Sequence, residues 1–271
     1  MIWQRLYHTG LIMALLHVNF FSDTLGMMMM MDVILPQNTP QNSVYPSLYL
    51  LHGMSDDHTV WQRRTSIERY ADEKKIAVIM PATHLGWYTD MKHGLKYYTF
   101  IAKELPAVCR DLFPKISPRR EDTFAAGLSM GGYGALKLGL LDSETFSAVA
   151  SLSGAVHMNL VDADNSKSDK NDLFYNVFGT PDEFRGSVND LYAAAGGLAE
   201  SGRPLPKIYL WCGTEDFLYN QNITMRDRLH SLSFDLTFEE SQGDHQWKYW
   251  DEKIRTVLDW LPINNRTDSG K

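Results

Sequence analysis

Residues Thr123 to Leu136 read Thr-Phe-Ala-Ala-Gly-Leu-Ser-Met-Gly-Gly-Tyr-Gly-Ala-Leu. No other stretch restricts what the chain can become so tightly. A short apolar run leads into a Gly-x-Ser-x-Gly turn with Ser129 at its apex, and a helical pattern follows directly. A nucleophile carried on a strained strand-to-helix turn brings its neighbours against the sheet and the helix, where a Cβ would collide, so glycine is required on both sides. The amino end of the next helix points at the same place and favours negative charge developing there. Five residues of this kind arise by chance; the strand before and the helix after are what make a nucleophile elbow the reading.

That local order extends along the chain. Short apolar runs occur at Met27–Leu35, Ser47–Leu51, Ile76–Met80, Thr123–Ala126, Ala148–Ser153, Lys207–Cys212 and Asp235–Glu239. Between several of them lie helical patterns at Thr65–Lys74, Tyr97–Phe113, Gly131–Leu141 and Asn222–Leu232, and a last one runs over Trp247–Trp260. Strand and helix in alternation imply an α/β fold: a mostly parallel central sheet flanked by helices on both faces. Met27–Leu35 is expected as an antiparallel edge, its five methionines Met27–Met31 serving as an adaptable apolar strand.

One domain is expected over 20–262, since α/β folds of about 250 residues commonly share one core. Residues 1–19 read as an N-terminal extension and 263–271 as a polar tail. The alternation breaks over 156–206, where an insertion late in such a domain would form a small cap. Within it Asp162–Asp172 is nearly all polar and is expected as a surface loop, with short helices at Leu173–Phe178 and Val188–Leu198.

Composition excludes several classes of function. The 271 residues carry 26 Lys and Arg against 33 Asp and Glu, a formal charge of −7, with no extended basic cluster. Nucleic acid is therefore not an expected partner. No apolar stretch approaches the roughly 18 residues of a membrane span. The two cysteines, Cys109 and Cys212, suggest neither a disulfide framework nor a zinc site, and no metal or other cofactor is expected. Arg5 ahead of an apolar-leaning segment only faintly echoes a signal peptide, because His8 and His17 interrupt it, and export is not expected. Met13 would serve equally well as the start, with Met1–Ile12 an upstream extension.

A serine hydroxyl needs a base, and the base an orienting acid, in the chain order Ser, Asp or Glu, His for this kind of fold. The run Lys207–Cys212 ends in Gly213-Thr214-Glu215-Asp216, and Asp235–Glu239 is followed by Gly243-Asp244-His245-Gln246-Trp247. Sites in open α/β sheets gather at such carboxyl ends of strands. Ser129, Asp216 and His245 are thus the expected triad. Glu215 stands as the alternative acid, and Asp244 is expected in solvent. His52, His84, His93 and His157 precede Asp216, against the order. Two backbone N–H groups should hold the oxyanion: that of Met130, after the nucleophile, and that of Met54, where Tyr49–Leu51 runs into a His52-Gly53 turn. Trp61, Trp87, Tyr88, Phe217 and Trp247 lie in or beside the loops expected around the site, as candidates for an apolar pocket or for packing.

Taken together, Leu51-His-Gly-Met54, Trp61 with Arg64-Thr65, Gly86-Trp-Tyr-Thr-Asp90, Tyr97-Tyr98 with Glu104-Leu-Pro106, Gly127-Leu-Ser-Met-Gly-Gly-Tyr-Gly134 and His245-Gln-Trp-Lys-Tyr-Trp250 resemble the tributyrin esterase branch of the esterase D-like α/β-hydrolases. S-formylglutathione hydrolases, feruloyl and acetylxylan esterases and mycolyltransferases share that superfamily. The resemblance runs from about Phe20 to Leu261. It implies an α/β-hydrolase fold and a cytoplasmic serine carboxylesterase for small, short-acyl esters, without cofactor and often homo-oligomeric. The family's nucleophile, acid, base and oxyanion donors fall on Ser129, Asp216, His245, Met54 and Met130. His52-Gly-Met-Ser-Asp56 replaces the Ser-Gly-Leu-Thr-Cys type loop usual in S-formylglutathione hydrolases, which weakens the thioesterase alternative. A feruloyl or acetylxylan esterase is the other alternative, ahead of an acyltransferase or a non-catalytic binding protein on the same scaffold.

Overall fold

The computed structural model describes residues 13–37, 39–40, 42–157 and 169–263. Eight strands form one sheet: β1 (Met13–Ser22), β2 (Met27–Pro36), β3 (Ser47–Leu51), β4 (Ala77–Pro81), β5 (Thr123–Leu128), β6 (Ala148–Leu152), β7 (Lys207–Gly213) and β8 (Leu236–Ser241). Their order across the sheet is β1-β2-β4-β3-β5-β6-β7-β8. β2 is antiparallel to both β1 and β4, and the pairings from β4 to β8 are parallel.

Every residue of β3, β4, β5 and β6 is buried, as expected of parallel strands covered on both faces. Successive residues serve opposite faces. Leu48 and Leu50 join the core beneath Val60–Arg64, Ile67–Lys74 and Trp247–Trp260. Tyr49 and Leu51 join the core beneath Leu105–Leu112, Met130–Leu141, Leu191–Glu200 and Tyr219–Ser231. The last helix shows why its sequence belongs there: Trp250, Ile254, Val257 and Leu258 recur at helical spacing and are its buried residues. Among the described residues, no helix is long and apolar enough to cross a membrane.

Three expectations change. Met13–Ser22 forms a strand paired along its whole length with β2, so residues 13–19 belong to the sheet and are no extension. β1 is therefore the edge, and the methionine strand is antiparallel but lies one place inward. Within β2, Met29 and Met31 are buried while Met28 and Met30 are exposed, the alternation of a pleated strand. Asp32 of β2 is buried and bound by His17 Nδ1 of β1, 2.6 Å, and by the Gln62 amide, which ties the edge to the helix at Val60–Arg64.

The third change concerns Asp162–Asp172, expected as loop. Residues 158–168 lie outside the described residues, but a helix spans Asp169–Phe178. A polar first turn is compatible with an amphipathic helix whose later residues Val177 and Phe178 are buried. The next long helix starts at Leu191, after the Val188 expected from periodicity. Asp190 fixes that start by accepting the N–H groups of Tyr192 and Ala193 at 3.1 and 3.3 Å. This inserted segment leans on the helix Met130–Leu141, where the Tyr133 hydroxyl donates to the Asn189 carbonyl at 2.8 Å.

Candidate active site

The chain runs from β3 to β4 on one side and then crosses to β5 on the other side of β3. A ligand crevice in an open α/β sheet forms at such a reversal, outside the carboxyl ends of the two strands. Here those ends carry His52-Gly53-Met54 and Ser129.

Ser129 links β5 to the helix Met130–Leu141 with φ 53° and ψ −117°. This is a sparsely populated conformation that only surrounding structure can maintain. Its N–H donates to the Leu152 carbonyl at 2.9 Å, and its carbonyl accepts from Tyr133 and Ala155 at 3.1 and 3.2 Å. A Cβ on Gly131 would overlap the carbonyl oxygens of Leu51 and His52, so the glycine two places after Ser129 is what lets the helix start abut the end of β3.

His245 Nε2 lies 3.1 Å from Ser129 Oγ, and Nδ1 lies 2.8 Å from Asp216 Oδ2. Asp216 Oδ1 takes the Leu218 N–H at 2.9 Å. Burial alone would raise the Asp216 pKa; the bonds from His245 and Leu218, with help from the Ser153 hydroxyl, outweigh it and hold the carboxyl below its ordinary value. An ionised acceptor at Nδ1 fixes the proton there and leaves Nε2 free to accept the serine proton. Aromatic rings confine the imidazole: Phe217 at 4.6 Å between centroids and Trp250, edge-on, at 4.8 Å.

The rival groups lie elsewhere. Glu215 is exposed and accepts from Gln242 at 3.2 Å. Asp244 is partly buried and accepts from Gln246 at 2.6 Å. His84 bonds the Tyr97 hydroxyl, His93 packs on Tyr175, and His157 packs on Tyr192. His52 is buried, its Nδ1–H donating to the Gly53 carbonyl at 2.8 Å and its Nε2 accepting the Thr83 N–H at 3.0 Å. Burial pushes its pKa down to about 4, so it is held neutral.

That bond orients an amide. No peptide bond among the described residues is cis, so the Met54 N–H points opposite to the Gly53 carbonyl of the same peptide unit. His52 and the Asp56 N–H, the latter at 3.3 Å, grip that carbonyl from one side. The N–H is thereby turned to the other. Gly53 supplies room and not unusual backbone freedom: a Cβ there would stand 2.7 Å from Leu128 Cδ1 and 3.8 Å from Ser129 Cβ.

The aromatic candidates separate into two groups. Trp61 and Tyr88 are buried and bind the end of β3, Trp61 Nε1–H to the Leu51 carbonyl at 3.1 Å and the Tyr88 hydroxyl to the His52 carbonyl at 2.8 Å. Trp87 is buried among Tyr133, Phe174 and Phe178. These three carry packing. Trp247 is half-buried, edge-on to Trp61 and Trp250. Phe217 is 75% exposed and Met54 is 39% exposed, whereas Met130 is buried.

Two supporting residues escape a reading of motifs alone: Thr83, which fixes the His52 tautomer, and Ser153, which receives Trp250 Nε1–H at 3.2 Å and supports Asp216. A signal for Ser153 exists, because Ser153-Gly154 follows β6 as Ser129 follows β5. Both cysteines are buried free thiols. Among the described residues, no three His, Cys, Asp or Glu side chains are grouped as a metal ion requires.

The family described as "Putative esterase" matches residues 22–261. An acetyl esterase of Caldicellulosiruptor saccharolyticus is 31% identical over 263 residues, covering 92% of this chain and 98% of that protein. The fluorophosphonate-binding serine hydrolase FphF of Staphylococcus aureus superposes with a TM-score of 0.83 at 35% identity, over 92% of this chain and 98% of that one. The S-formylglutathione hydrolase FrmB of Staphylococcus aureus also gives 0.83 at 35%, over 92% and 99%. With the match spanning nearly the whole sheet, the chain belongs to this family of serine esterases and is a carboxylic ester hydrolase on the α/β-hydrolase fold.

Proposed function

We propose that Ser129, His245 and Asp216 hydrolyse short-chain acyl esters by two-step acyl transfer. The observation that carries the proposal is the continuous chain of contacts from Ser129 Oγ through both ring nitrogens of His245 to Asp216. His245 takes the proton of Ser129 as Oγ attacks the ester carbonyl, and Asp216 keeps the imidazole in the accepting tautomer and stabilises its cation. The N–H groups of Met130 and Met54 receive the oxyanion, each worth about 3 to 4 kcal/mol in comparable sites. The alcohol leaves with the proton from His245, and water then cleaves the acyl-enzyme by the reverse route.

Acetyl, butyryl and tributyrin-type esters fit this reading, since one relative is named an acetyl esterase. A second reading, thioester hydrolysis of S-formylglutathione, is favoured by the relative of that name at 35% identity; both place a small acyl group on Ser129. Two buried free thiols accord with a reducing compartment such as the cytoplasm.

The test is hydrolysis of p-nitrophenyl esters from acetate to octanoate, with S-formylglutathione and a feruloyl ester alongside, by wild type and Ser129→Ala. Turnover concentrated at the short esters and abolished by the substitution is expected. Equal inertness of both proteins on every ester overturns the proposal, and turnover confined to S-formylglutathione replaces the first reading with the second.

A further inference from the structure

Asp56 plays no part in the chemistry above, yet it stands beside it. A Cβ built on Gly53 would lie 3.2 Å from Asp56 Oδ2 and 3.8 Å from Ser129 Cβ. The carboxylate and the nucleophile thus flank one point on the loop after β3, no further apart than two ordinary contacts. Ser55, with φ 69°, makes the tight turn that returns the chain, and the Asp56 N–H closes it on the Gly53 carbonyl. Among the described residues, no side chain hydrogen-bonds or ion-pairs with this half-buried carboxylate. Burial and then Asp57 raise its pKa, against pulls from Arg64, the Gly53 amide and Arg63. A partly desolvated carboxylate held by a backbone amide and by no side-chain donor keeps free lone pairs for a donor that arrives with a ligand.

Two kinds of donor could come: a hydroxyl or a cation. Asp57, Arg64 and Arg63 all act on Asp56; the two arginines offset the two carboxylates, so the loop offers a cation no net attraction and the neutral hydroxyl is favoured. Resting on the esterase reading, we propose that Asp56 is a specificity-determining residue that accepts a hydrogen bond from a hydroxyl close to the scissile ester. The preferred substrates are then short-chain esters of hydroxylated alcohols, such as partly acylated sugars or other polyols.

Three acetates of nearly equal length test this: 2-hydroxyethyl acetate, propyl acetate and acetylcholine, which differ only in presenting a hydroxyl, a methyl or a trimethylammonium group. Wild type is expected to favour 2-hydroxyethyl acetate over propyl acetate by about tenfold or more in kcat/KM, the range for a hydrogen bond to a charged group. Asp56→Ala brings that ratio close to one. Asp56→Asn, which keeps an acceptor without the charge, retains an intermediate ratio and serves if the alanine variant does not fold. A wild-type ratio near one overturns the proposal, as does a preference for acetylcholine. So does an equal loss on all three esters in both variants, which would mean that Asp56 only holds the loop. The esterase reading is judged separately by whether propyl acetate is turned over at all and whether Ser129→Ala stops it.

Discussion

Gly213 and Gly243 meet backbone to backbone: a Cβ on Gly213 would overlap the carbonyl group of Gly243. Two further bonds fasten the same turns, Thr214 N–H to the Ser241 carbonyl and Glu215 N–H to the Gly243 carbonyl, both at 2.9 Å. Asp216 and His245 belong to these two loops, so their 2.8 Å contact depends on how closely the loops approach. Gly213→Ala is expected to push them apart. Since a shift of about 1 Å near a reacting group can cost about a hundredfold in rate, kcat on p-nitrophenyl acetate should fall by that order while the fold survives. A variant of full activity would show that the loops yield without moving His245.

The neutral state of His52 has its own pH signature. Its pKa falls from 6.5 in the unfolded chain to about 4 in the folded protein, because burial opposes the charge. As pH drops from 6.5 to 4 the unfolded chain gains a proton that the folded protein does not, so stability declines across that window and levels off below it. The loss is about 3 kcal/mol. Urea unfolding should show it in wild type and not in His52→Gln. Asp216, whose folded pKa is depressed, contributes stability that is lost only below about pH 3.8, so the two effects separate on the pH axis. An identical decline in both proteins would assign the effect to other groups.

Lys137 is buried in the helix that begins at Met130, donating to Thr89 Oγ1 at 2.9 Å and Asn189 Oδ1 at 2.6 Å, with the rings of Tyr98 and Tyr133 alongside. Burial pushes its pKa down to about 7, with Asp90 pulling the other way. Between pH 7 and 10.5 the unfolded lysine still holds a proton that the folded one has released, so raising the pH stabilises the protein. Relative to Lys137→Met, wild type should gain about 2 kcal/mol between pH 7 and 9 by urea unfolding. Parallel pH profiles would show that the lysine keeps its charge in the fold.

Phe217 leaves 75% of its surface in solvent while covering the His245 ring. Its removal should cost no more than about 0.5 kcal/mol of stability, as for other surface positions. Because the ring packs on His245, Phe217→Ala should still lower kcat/KM by about threefold to tenfold, the worth of an aromatic pair. Unchanged kinetics would reduce Phe217 to an exposed apolar residue.

How much of this was legible beforehand follows from what each feature depends on. That Ser129, Asp216 and His245 would come together was readable because glycine sterics and strand ends mark such turns locally. β1 is easily overlooked: Leu16, Val18 and Phe20 alternate with exposed His17 and Asn19, the period of a half-covered strand, but a run that is polar at every second place has no continuous apolar stretch to mark it. Its partner, β2, defines it. Asp169–Asp172 looked like loop because a polar first turn and a loop share a composition. Trp61, Trp87 and Tyr88 stood in the right loops, but a sequence does not tell whether an aromatic ring turns toward a substrate or into the core. Their hydrogen bonds to Leu51 and His52, and the burial of Trp87, are properties of the assembled fold.

The turn between β1 and β2 shows a dependence of another kind. Its Ser22 hydroxyl donates to Glu104 Oε2 at 2.6 Å, the Asp23 N–H to Oε1 at 2.6 Å and the Thr24 N–H to Oε2 at 3.3 Å. Glu104 closes the π-helical turn Phe100–Glu104, far along the chain. A hairpin is ordinarily a local unit that can zip by itself; here its tip is completed only when a distant helix has docked. The amides of Asp23 and Thr24, although at the surface, should therefore exchange their hydrogens with the slow kinetics of that helix's undocking, and the chain's first two strands should be secured late in folding.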